Sequence, residues 1–172
     1  MKHLNVFICL IHFALLGQKQ NIKEYTVSGK VTQSSAYCGG MRPSEEMLNE
    51  LSKSKPYAGK IFYVKKGKSN DAKQKIVMKI VVDSSGHFSF HLPPGNYVLL
   101  LAEQLKPIDF KALSKLTNIT YDKTCVQQWW QKPYLNLEIK DKNIEDLQFH
   151  FHHRCFISGD MPCLTYTGPM PP

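Results

Sequence analysis

From Tyr25 to His152 the chain breaks into short runs in which apolar and polar residues alternate, each closed by glycine, proline or a cluster of Asn, Asp and Ser. An alternation of period two puts every second side chain on the same face of a strand, so such runs read as half-buried strands and not as helices. Seven are predicted: 25–32, 58–65, 75–82, 88–91, 96–103, 135–140 and 146–152. The turns between them carry the chemistry that turns need. Lys66-Gly67-Lys68-Ser69-Asn70-Asp71 suits a hairpin loop, Asp83-Ser84-Ser85-Gly86 a tight turn, and Leu92-Pro93-Pro94-Gly95 a second one. The run 96–103 is apolar almost throughout and predicts a strand buried on both faces.

Helical signals are few. Pro43-Ser44-Glu45-Glu46 opens a short helix with Met47, Leu48 and Leu51 on one side, ending near Lys55-Pro56. Residues 107–131 turn helical again, with Phe110, Leu113 and Leu116 three apart and Trp129-Trp130 near the end. Short strands without alternating long helices predict an all-β fold, an antiparallel sandwich of about seven strands with short helical insertions. It is placed at residues 18–160. The segment 161–172 is rich in proline and predicts an extended tail that forms no ladder.

Met1-Lys2-His3 precedes an apolar run from Leu4 to Leu16 and then Gly17-Gln18-Lys19. A basic start, a short apolar stretch and a small residue fit a secretory signal peptide at 1–17, too short to span a bilayer. No later segment has spanning length, so the mature chain of about 155 residues is expected to be secreted or periplasmic. Cys9 leaves with the signal. Cys38, Cys125, Cys155 and Cys163 remain, and in an oxidising compartment four cysteines predict two disulfides. Three connectivities are possible; closeness in sequence favours Cys155–Cys163 with Cys38–Cys125. The spacings lack the closely set Cys pairs of a zinc site.

The stretch Asp83-Ser84-Ser85-Gly86-His87-Phe88-Ser89-Phe90-His91-Leu92-Pro93-Pro94-Gly95-Asn96-Tyr97-Val98-Leu99 resembles the D-x-x-G-x-F-x-F-x-L-P-P-G-x-Y-x-L signature of carboxypeptidase regulatory-like, or transthyretin (prealbumin)-like, sandwiches. Val27-Ser28-Gly29-Lys30-Val31 is similar to the first strand of that family. With its Cys38-Gly39-Gly40 segment and Cys163-Leu164-Thr165-Tyr166 tail, the chain also looks like small secreted Bacteroidota proteins of this fold. The resemblance implies a fold and a location but no chemistry, because the same sandwich serves unrelated functions.

Enzyme signatures are scarce. No H-x-x-E pair, nucleophile elbow, phosphate loop or dinucleotide fingerprint is present, and no cofactor is implied. The strand Phe149-His150-Phe151-His152-His153 puts two histidines on one face, about 7 Å apart along the strand. His150 and His152 are therefore the candidate metal ligands, with His153, His91 or Met161 as a third, and a small metal-dependent hydrolase is the alternative function. The preferred reading is aromatics inward and histidines outward, in a non-enzymatic binding or structural module.

The 172-residue chain carries a formal charge of +8, and this charge is concentrated. Nine lysines and a single aspartate lie between Lys53 and Lys79, leaving the rest nearly neutral. Two arginines in all, and a location outside the cell, argue against nucleic acid. Lysines on a hairpin commonly guard a sheet edge. The sharper expectation is contact of Lys65, Lys66, Lys68, Lys73 and Lys75 with an anionic envelope surface, a glycan or another envelope protein.

Overall fold

The computed structural model describes residues 23–157 and 159–169, so the expected signal peptide lies outside the described residues. All seven expected strands form, as β1 (Tyr25–Ser35), β3 (Ile61–Lys66), β4 (Ile76–Val81), β5 (His87–Leu92), β6 (Gly95–Leu100), β8 (Leu135–Ile139) and β9 (Ile144–His153). Three short strands add to them: β2 (Lys55–Pro56), β7 (Ile119–Tyr121) and β10 (Leu164–Tyr166). The helices are α1 (Glu45–Ser52), α2 (Phe110–Leu113) and α3 (Lys123–Gln131), with a 3-10 turn at Ala102–Gln104. Ser44 caps α1, accepting from the Met47 N–H at 3.2 Å, yet no α1 side chain is fully buried: Met47 and Leu48 are exposed and Leu51 is half-buried.

Two sheets carry the core. In one, β1 pairs with β5 and then β2 along one edge and with β9 along the other; in the second, the order is β4-β3-β6-β8. Val27 and Val31 of β1, Phe88, Phe90 and Leu92 of β5 and Phe151 of β9 share one cluster with Phe62, Val64, Tyr97, Leu99, Leu137 and Ile139 of the other sheet. Phe62 touches across the layers, with its ring centroid 6.2 Å from Phe88 and 5.5 Å from Phe149. In β6 four consecutive residues from Tyr97 to Leu100 are buried, so both faces of this strand are covered.

Three expectations fail for identifiable reasons. The sheet is not purely antiparallel: β1 and β9 run parallel, in the register Thr32↔His150 and Ser34↔His152. A parallel pair requires a long crossover, and the whole second sheet lies between these strands in sequence. Second, the tail does pair. Its prolines flank the run Leu164–Tyr166 without entering it, so its N–H groups are free to ladder with β7, which replaces part of the helix expected at 107–131.

Third, the disulfides are Cys38–Cys155 and Cys125–Cys163, not the pairs favoured by sequence proximity. Parallel pairing of β1 with β9 ends at Ser35↔His153, which delivers Cys38 and Cys155 to the same place with Cα atoms 5.3 Å apart. Pairing of β7 with β10 brings Cys163 to the start of α3, where Cys125 sits, at a Cα separation of 5.8 Å. Across sequence separations of 117 and 38 residues, loop-closure entropy makes these bridges worth about 5 and about 4 kcal/mol.

Candidate functional site

Alternation along β9 sends Phe149 and Phe151 inward and His150 and His152 outward, and the parallel register sets Thr32 and Ser34 beside those histidines. One polar line results. Thr32 Oγ1 lies 2.9 Å from His150 Nδ1, and Ser34 Oγ lies 3.0 Å from His150 Nε2 and 2.9 Å from His152 Nδ1. Both imidazoles thus converge on one hydroxyl, although they themselves are exposed. His153 belongs to the other face, bonded to Gln33 Oε1 at 2.8 Å with its ring against Tyr57. His91 is paired opposite Thr26, away from this line, and Met161 packs with Val126 and Leu164 in a separate small core. Among the described residues no three His, Cys, Asp or Glu side chains cluster at metal-binding spacing.

The basic hairpin is formed by β3 and β4. Lys66, Lys68, Lys73 and Lys75 are exposed and, among the described residues, none is ion-paired. Lys79 on β4 is exposed as well. Lys65 is the exception: it is only 2 % exposed, so it is no surface contact. The strand register shifts between Val64 and Lys65, and this irregularity turns two consecutive side chains into the protein. The buried ammonium donates to Asn70 Oδ1 at 3.2 Å and to the Asp71 carbonyl at 2.9 Å. Burial pushes its pKa down, with Asp71 opposing in part.

Period counting could not place Lys65, because one extra residue reverses the faces. Asn70 and Gln104, which complete its surroundings, also escape a motif search. Asn70 Nδ2 donates to the carbonyls of Gln104 at 2.8 Å and Trp130 at 2.9 Å. Gln104, 1 % exposed, donates from Nε2 to the carbonyls of Trp129 and Lys132 at 2.9 and 2.7 Å and accepts from the Leu101 N–H. This buried network fastens the basic loop to the end of α3.

Next to it, Lys60 and Asp160 form an ion pair with side-chain exposures of 10 % and 13 %. The Lys60 ammonium also lies 4.5 Å from the centre of the Phe151 ring. Tyr134 stacks on Phe151, centroids 5.3 Å apart, and its pKa is pushed up to about 12, mainly by burial and then by the Asp160 charge.

No known family profile and no curated protein matches the chain. Among solved structures it is similar to the Bacillus anthracis TIE protein, at 13% identity and a TM-score of 0.35, over 76% of this chain and 17% of that one. It is also similar to GBS52, the minor pilin of Streptococcus agalactiae, at 14% identity and a TM-score of 0.34, over 81% of this chain and 48% of that one. The chain therefore spans less than half the length of either protein, and neither likeness bears on the reading of the site.

Proposed function

We propose that this chain is an exported, non-enzymatic sandwich module of the transthyretin-like kind that binds an anionic component of the cell envelope through its β3–β4 hairpin. The single observation carrying this reading is the set Lys66, Lys68, Lys73 and Lys75, exposed and without ion pairs among the described residues, on a loop held rigid from beneath by Asn70. A charged patch used only for solubility has no need of a seated loop. Fixing the lysines before binding lowers the entropy lost on contact, and like charges held together attract a polyanion over the Debye length. Two disulfides fit an oxidising compartment.

The test is co-sedimentation of the purified, disulfide-bonded chain with isolated envelopes. Reversing Lys66, Lys68, Lys73 and Lys75 to Glu should abolish sedimentation while leaving the circular dichroism spectrum intact. Equal sedimentation of both proteins would remove the hairpin from the account.

A small metal-dependent hydrolase remains the second reading, favoured by the convergence of His150 and His152 on Ser34 Oγ. It requires uptake of zinc or copper at neutral pH, measurable by calorimetry, and loss of that uptake in His150→Ala.

A further inference from the structure

The segment joining α3 to β8 and the loop leading into β10 line an open cavity of about 310 Å³. That is near the lower end of ligand cavities, which span roughly 300–1,000 Å³, and suits one or two small rings. Its lining is largely apolar and includes Trp129, Tyr134, Pro133 and Pro162, together with Phe151, on which the Tyr134 ring stacks. Gln104 and Lys132 also line it, the Gln104 amide being spent on backbone groups, and three further polar groups are of complementary kinds. The indole N–H can only donate, the Tyr134 hydroxyl can donate or accept, and Asp160 can only accept. Among the described residues the indole N–H and the Tyr134 hydroxyl carry no hydrogen bond, and Lys60 engages only Oδ2 of Asp160.

A hydrocarbon would leave these polar groups unpaired. A simple cation would find the carboxylate already neutralised by Lys60. A ring that bears hydroxyls around its rim and exposes C–H bonds on one face satisfies both the walls and the polar groups. We therefore infer that this cavity is a saccharide subsite, taking one pyranose ring against Trp129 and Tyr134 with its hydroxyls on Tyr134, Asp160 and the indole N–H.

The cavity is preformed. Gln104 clamps the carbonyls of Trp129 and Lys132 from behind, and Arg154 donates to the carbonyls of Pro162 and Leu164 at 3.2 and 2.9 Å on the opposite wall. Cys163, next to Pro162, is tied to Cys125 of α3. Walls fixed on both sides spare the ligand the cost of ordering them. Asn70, through its bond to the Gln104 carbonyl, links this cavity to the basic loop. The subsite rests on the proposed reading of the hairpin in one respect, for it makes the anionic partner a polysaccharide.

The experiment titrates the disulfide-bonded protein with glucose, galactose, mannose and N-acetylglucosamine, followed by tryptophan emission in a Trp130→Phe background so that Trp129 alone reports. At least one sugar should shift the emission with saturation on the order of 1 mM, as expected for a single small ring. Tyr134→Phe, which keeps the ring, should weaken it about tenfold, the equivalent of one hydrogen bond. Trp129→Phe, read by calorimetry, should also weaken binding. Charge reversal of Lys66, Lys68, Lys73 and Lys75 should leave these neutral sugars unaffected, so loss of the hairpin reading and loss of the subsite are separable. The inference is overturned if none of the four sugars gives a saturable shift, if Tyr134→Phe binds as well as the parent, or if tetramethylammonium binds more tightly than every sugar.

Discussion

Lys65 and Lys68 are three residues apart on one hairpin and differ in kind. The first is buried with its ammonium on Asn70 and Asp71, and the second is exposed without a partner among the described residues. Lys65→Ala deletes a buried side chain and leaves the Asn70 oxygen unpaired, which should cost about 2–4 kcal/mol in urea denaturation, whereas Lys68→Ala should stay within about 0.5 kcal/mol. Equal effects would mean that Lys65 is not inside. Tyr134 gives a second prediction at this scale. Its pKa stands at about 12 against an ordinary 10, so the folded protein prefers the neutral hydroxyl. The resulting stability is present below pH 10 and is lost as pH rises toward 12. A tyrosinate absorbance titration should show a late step near pH 12 that disappears in Tyr134→Phe.

Elements were legible in the sequence where their period was uninterrupted. β5 alternates without exception through His87-Phe88-Ser89-Phe90-His91-Leu92, and the structure buries Phe88, Phe90 and Leu92 while exposing the rest. What the pattern could not convey was partnership. Nothing local announces that β1 will run parallel to a strand over a hundred residues away, and the Cys38–Cys155 bridge and the Thr32–His150–Ser34–His152 line follow from that register, as Cys125–Cys163 follows from the pairing of β7 with β10. The three short strands were hidden for a different reason, since two or three residues carry no period. The cavity proposed as a saccharide subsite joins the α3–β8 link to a distant loop, so only the folded chain assembles it. Gly29 is the residue that permits the parallel contact: a Cβ there would lie 2.7 Å from Leu147 Cβ and would also strike the Leu147 carbonyl. Because the backbone of β9 cannot move aside cheaply, Gly29→Ala should destabilise by about 1–3 kcal/mol, read as a lower denaturation midpoint. An unchanged midpoint would place β1 and β9 farther apart than described.

As a whole, the molecule is a two-layer sandwich with a small added sheet, held by two disulfides. Cys38–Cys155 fixes the paired ends of β1 and β9, and Cys125–Cys163 fixes the small β7–β10 sheet to α3. On this frame the charge is local: a lysine hairpin seated by Asn70, beside a small aromatic cavity, on a body otherwise near neutral. The proposed readings of the hairpin and of the cavity share one partner chemistry, a polyanion built of sugar rings. The most direct test is retention of the disulfide-bonded chain on immobilised dextran sulfate across a salt series. Raising ionic strength from 0.1 to 1 M shortens the Debye length from about 10 to about 3 Å. Retention should fall steeply over that range and be absent at low salt when Lys66, Lys68, Lys73 and Lys75 are reversed to Glu. Retention that is independent of salt, or equal in the reversed protein, would contradict the account.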